Sequence, residues 1–201
     1  MSRRIKHDYA WFIFAILIGS ILACAGSESR VLRLNLTSRE KGSLSVMPFN
    51  TTFERKYHSD AHTRASFGLL MGLIAHAINE RSGIYTYTFD DKDLMNLRTS
   101  IVNSLRAARY FDAVNDIPVL NENVPDKGIR LYIDFKSMGV SQTAVFICEI
   151  NAHARVCDIS DKVLAEKNIN VREKGVMTLM AAKNNAIDKF IREIATLLNS
   201  V

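Results

Sequence analysis

The chain opens on an unbroken apolar run and then settles into alternation. Tyr9 to Leu22 carries no charge and is dominated by Trp11, Phe12, Ile13, Phe14, Ile16, Leu17, Ile18, Ile21 and Leu22, behind a basic head of Arg3, Arg4 and Lys6. That order is the one an export signal uses, and the run is short of the ~20 residues a spanning helix needs. Further on, Leu32, Leu34 and Leu36 share one face of a short candidate strand. Ser43 to Phe49 reads as a strand, with Pro48 marking its end or an edge, and 50–60 as a polar loop. Ala61 to Arg81 predicts a helix, capped by Ser59 or Asp60, whose centre from Phe67 to Ile78 is apolar nearly all round. Such a helix is either buried or packed on a neighbour through Gly68 and Gly72. Ile84 to Phe89 is rich in aromatic and β-branched residues and predicts a strand. Asp90 or Asp91 then caps an amphipathic helix to about Arg109, with Leu94, Leu97, Ile101 and Leu105 as its stripe and Met95 and Val102 alongside.

The last third has the clearest period. Tyr110 to Val114 is a short strand or turn, and 121–128 is a loop. Ile129, Leu131, Ile133 and Phe135 alternate with polar residues, after which Gly139 to Gln142 is expected to turn the chain. Phe146, Cys148, Ile150, Ala152, Ala154 and Val156 mark one face of a long strand. Asp158 to Lys162 turns it, Val163 to Arg172 returns, and a final helix runs from about Val176 to Asn199. These elements predict an α+β (α/β-like) fold: a mixed or mainly antiparallel sheet of about five strands with two or three helices packed on one face.

Composition adds limits. The 201 residues carry a formal charge of +5. Residues 1–23 hold three basic side chains and one acidic one, so the remainder keeps +3. No basic run there exceeds the pair Arg55-Lys56, which argues against nucleic acid as a partner. About 178 residues after the signal suit one domain with a real core.

Small residues follow the apolar run, and Ile21-Leu22-Ala23-Cys24 resembles the lipobox of bacterial lipoproteins. In that family the cysteine thiol takes a diacylglyceryl group, the chain is cut before it, and the new amine is acylated. The resemblance implies a signal over 1–23, a lipidated Cys24 opening a tether with a candidate first strand over 24–42, and one periplasmic domain over 43–201. Ala25, where inner-membrane lipoproteins tend to carry aspartate, implies the outer membrane, periplasmic side. Two other readings stay open: cleavage after Ala25 at an A-x-A box, giving a soluble protein, or an uncut anchor.

Candidate chemistry is sparse. His58-x-x-x-His62 has the spacing of a zinc pair but no glutamate follows the first histidine. There is no G-x-S-x-G, P-loop or C-x-x-C. Asp90, Asp91 and Asp93 read as a helix start rather than a catalytic pair. If 145–157 is one strand, Cys148 and Cys157 lie ~30 Å apart on opposite faces, too far for a disulfide. No catalytic residue, metal ligand or cofactor is therefore expected beyond the covalent lipid, and no small-molecule substrate.

The order of elements is similar to that of small envelope lipoproteins resembling the TolB amino-terminal domain and the curli secretion lipoprotein CsgG. The carrying residues are Val46-Met47-Pro48-Phe49, Leu105 with Phe111 and Val114, and Asp158 to Ala165. That resemblance implies a non-enzymatic protein-binding or assembly module whose partners are envelope proteins, a homo-oligomer among them. The alternative is a subunit of a secretion or transport complex that uses Phe67, Leu70, Met71, Leu73 and Ile74 of the apolar helix for membrane or subunit contact.

Overall fold

The computed structural model describes residues 29–37, 42–51, 87–119, 124–142, 145–175 and 178–201. The signal with Cys24, the apolar helix predicted over 61–81 and most of the strand predicted over 84–89 lie outside the described residues.

A 14-residue strand, β5 (Ile129–Gln142), is the spine of the molecule. One of its edges pairs along its length with antiparallel β6 (Phe146–Cys157), which pairs in turn with antiparallel β7 (Val163–Gly175). The other edge is shared by three short strands in succession. β1 (Ser43–Val46) lies parallel beside Ile129 to Leu131, β2 (Asn50–Thr51) parallel beside Asp134 and Phe135, and β3 (Tyr87–Thr88) antiparallel beside Gly139 and Val140. β4 (Ala113–Asp116) pairs parallel with β1 and closes the order β4-β1-β5-β6-β7. The expected mixed sheet is present.

Two expectations need correction. Asn50 and Thr51 are not loop but strand. Gly139 to Gln142 do not turn the chain: they continue β5, opposite Glu149 to Phe146. The reason is a bulge. Phe135 faces Ala152, and the next pair is Ser137 with Asn151, so Lys136 is an extra residue. It shifts the covered face from odd to even positions, which returns Met138 and Val140 to the core. A strict period of two therefore loses the strand at Phe135.

Both described helices cover one side of the sheet. α1 (Asp91–Ala107) starts at a full capping box: the Asp90 carboxylate accepts from the Asp93 amide at 2.7 Å, and the Asp93 carboxylate accepts from the Asp90 amide at 3.2 Å. α2 (Leu179–Leu198) starts at Thr178, whose hydroxyl accepts from the Ala181 amide at 3.1 Å. α2 lies over β6 and β7, and α1 over β4 and against α2. Leu97, Ile101, Val102 and Leu105 are buried, as the stripe predicts, but Met95 is 62% exposed. Phe135 sits at the centre, its ring 5.2 Å from Phe49 and 5.6 Å from Phe190. Gly128 enters β5 with φ +96°, and a Cβ there would lie 1.9 Å from the Ser43 carbonyl oxygen.

Candidate functional site

Cys24 and the expected contact residues Phe67, Leu70, Met71, Leu73 and Ile74 fall outside the described residues. The described residues next after Cys24 in sequence are 29–37. Residues 29–37 alternate as their sequence does, with Leu32, Leu34 and Leu36 against the core, yet they join no sheet. They form an extended strap on the helical layer. The Arg30 amide donates to Ser100 Oγ at 2.8 Å and the Leu32 amide to Ser104 Oγ at 2.9 Å. These two serines are one helical turn apart on α1 and fully buried. Further on, the Thr37 amide donates to Asn199 Oδ1 at 2.6 Å and Asn199 Nδ2 donates to the Asn35 carbonyl at 3.1 Å. The Arg30 guanidinium reaches Asp188 on α2 at 2.9 Å. Burial pushes the Asp188 carboxyl above its ordinary range, and Arg30 and Arg192 partly offset this. An extended backbone needs outside partners for its amides, and polar side chains on two helices supply them. The strand expected over 31–36 is thus an extended segment held by helices.

Beneath the sheet the helices share a charge pair. Lys183 Nζ of α2 donates to Asp93 Oδ2 of α1 at 2.5 Å, with Asp93 2% and Lys183 7% exposed. The ammonium also lies 5.1 Å from the centre of the Phe89 ring. Cys148 lies within electrostatic reach of both. Burial pushes its thiol far above the ordinary value, with Lys183 opposing and Asp93 and Glu149 adding to the rise. A thiol so raised and wholly buried is not a nucleophile at neutral pH. Cys148 and Cys157 are free, as the strand geometry requires.

A second buried cation, Arg98, ties α1 to the ends of β1 and β4. Its Nε donates to Asp116 Oδ1 at 2.7 Å, Nη1 to the Met47 carbonyl at 2.9 Å and Nη2 to the Val46 carbonyl at 2.8 Å, and the group stacks 5.0 Å from the Phe49 ring centre. Sequence reasoning misses both Lys183 and Arg98. Each looks there like a solvated charge on an amphipathic helix, and only its place one position inside the apolar stripe hints at burial.

The opposite side of the sheet is mostly polar, with Ile147 and Cys157 buried towards the two ends of β6. Asp134 pairs with Arg155 at 3.3 Å, His153 with Glu166 at 3.5 Å and Glu149 with Arg172 at 3.0 Å. Both described helices lie on the other side. Among the described residues no cluster of three or more His, Cys, Asp or Glu could hold a metal ion, and no helix is long and apolar enough to cross a membrane.

No family model and no curated protein matches the chain. Its fold is similar to that of protein XCC0632 from Xanthomonas campestris, of family-model DUF330. The two share 13% identity with a TM-score of 0.56, over 88% of this chain and 96% of that one. Lipoprotein GNA1162 from Neisseria meningitidis overlays at a TM-score of 0.30, with 14% identity over 77% of this chain and 99% of that one. A PelC dodecamer from Paraburkholderia phytofirmans overlays at 0.41, with 14% identity over 85% and 95%. The last two overlays carry no argument about this chain. The first supports the architecture, not the TolB or CsgG resemblance in particular.

Proposed function

We propose that the chain is a bacterial lipoprotein, held by acyl chains on Cys24 in the outer membrane on its periplasmic side, whose domain is a non-enzymatic protein-binding or assembly module. The observation that carries the reading is the strap. Five residue steps lead from Cys24 to Ser29, a reach of at most about 18 Å. From Arg30 the chain is clamped between Ser100 and Asp188, at the middle of the helical layer. A lipid at Cys24 therefore holds the domain close to the headgroups. The helical side turns to the bilayer and the polar side of the sheet turns to the periplasm. The attachment is strong: each buried CH₂ is worth ~0.8 kcal/mol, one acyl chain anchors only marginally, and three hold.

The interior supports a binding role rather than catalysis. Its two charged clusters, around Lys183 and Arg98, join elements to one another, and Cys148 is sealed. Density-gradient fractionation of wild type beside Cys24→Ser tests the anchor. Wild type is expected with the outer membrane and the variant with the soluble periplasmic fraction. Equal distribution of both overturns the reading.

A further inference from the structure

The two edges of the sheet are treated differently. The β4 edge is four residues long, and the Arg106 guanidinium covers its Val114 carbonyl at 3.2 and 3.1 Å. β7 is 13 residues long, and a bulge at Leu164, left over between the pairs Val156–Ala165 and Cys157–Val163, leaves 165–175 as its regular edge, without proline and with no strand beside it among the described residues. The Asn185 side chain covers its far end, donating to the Lys174 carbonyl at 3.1 Å. Long regular edges are templates for another strand, and charges along them bar every partner but one of matching pattern.

We propose that β7 is the interface with a second copy of this chain, paired antiparallel about a two-fold axis at Asn170. The charge pattern selects this occupant and this register. With Asn170 facing its own copy, Lys167 faces Glu173 of the second copy and Glu166 faces Lys174, each pair occurring twice by symmetry. That gives four opposite-charge pairs and no like-charge pair. Moving the axis to Ile169 keeps two opposite pairs, between Glu166 and Arg172, and axes at Asn168, Val171 or Arg172 keep none. Cross-strand charge pairs of this kind set register. Side also matches: Lys167 and Glu173 lie towards α2, where they hold Glu193 at 2.7 Å and Lys189 at 2.6 Å. Joining two copies makes an alternating row, Glu193, Lys167, then Glu173 and Lys189 of the second copy. On the covered side Ile169 faces Val171, both buried at the edge of the core. The five strands of each main order fuse into a continuous sheet of ten, within the span open sheets reach. The contact does not depend on the anchor at Cys24, so it stands or falls separately from the membrane reading.

The test uses the full chain in mild detergent. Asn170→Cys places two thiols directly opposite, where backbones are ~4.5–5.5 Å apart, and mild oxidation is expected to give a disulfide-linked dimer. Asn168→Cys, whose copies sit four residues out of step at ~13 Å, is expected to stay unlinked. By sedimentation, Lys174→Glu is expected to weaken the dimer about tenfold or more, and Glu166→Lys with Lys174→Glu to restore it. A monomeric wild type, equal linking at 168 and 170, or an assembly indifferent to both charge changes overturns the proposal.

Discussion

At the scale of single residues, the buried ion pair decides most. Removing one partner strands the other charge in an apolar interior, which costs about 3–5 kcal/mol, whereas removing both relieves it. Lys183→Met is therefore expected to destabilise the domain by that amount in urea unfolding, and Asp93→Asn with Lys183→Met to recover a large part. Cys148 gives a pH signature. In the unfolded chain its thiol ionises near 9.0. In the folded one burial holds the proton on, so above that pH the folded state binds more protons and stability falls as pH rises. Wild type should lose up to ~1.4 kcal/mol per pH unit above about pH 9 relative to its own neutral value, and Cys148→Ala should lack that share. Identical slopes for the two would contradict the assignment. Part of this is legible in the sequence. The run Asp90, Asp91, Asp93 reads as a helix start, and the cap forms. That Asp93 also answers Lys183 is not legible, because the partner lies 90 residues away on another helix and nothing local marks either as buried.

At the scale of elements, helix periods and the β6–β7 hairpin can be read directly, because each buries one regular face. What escapes reading is a break in regularity. The bulge at Lys136 hides the second half of β5, and β2 is two residues long, too short for any pattern. The strap is legible as alternation but not as to its partner, since an extended segment held by helices and a strand held by a neighbour bury the same positions. Its clamp is testable. Ser100→Ala with Ser104→Ala removes the acceptors of the Arg30 and Leu32 amides, at about 0.5–1.5 kcal/mol for each partly buried bond lost. Tryptic cleavage at Arg30 and Arg33 should then speed up while β6 and β7 keep their amide protection. Unchanged cleavage would mean that the leucines alone hold the strap. Gly128→Ala should cost more than about 1 kcal/mol, because it combines a positive φ with a Cβ on the Ser43 carbonyl, and thermal unfolding of that variant checks it.

At the scale of the whole molecule, a lipid at Cys24, a short strap and a two-sided sheet together fix an orientation. In proteoliposomes a fluorophore at Arg192→Cys, on the helical side beside Asp188, should transfer energy to a headgroup dye more efficiently than one at Lys136→Cys on the open side. Equal transfer would contradict the placement. The likeness to XCC0632 is one of fold alone, so the proposed function rests on what the chain itself carries. Most of that lies in its first 24 residues, where an apolar run of one length ends in one cysteine. The most direct measurement is the intact mass of the full chain purified from membranes. The expected species is a polypeptide that starts at Cys24 and carries a diacylglyceryl group and a further acyl chain. An unmodified chain that starts at Gly26, or one that still retains residues 1–23, would contradict it.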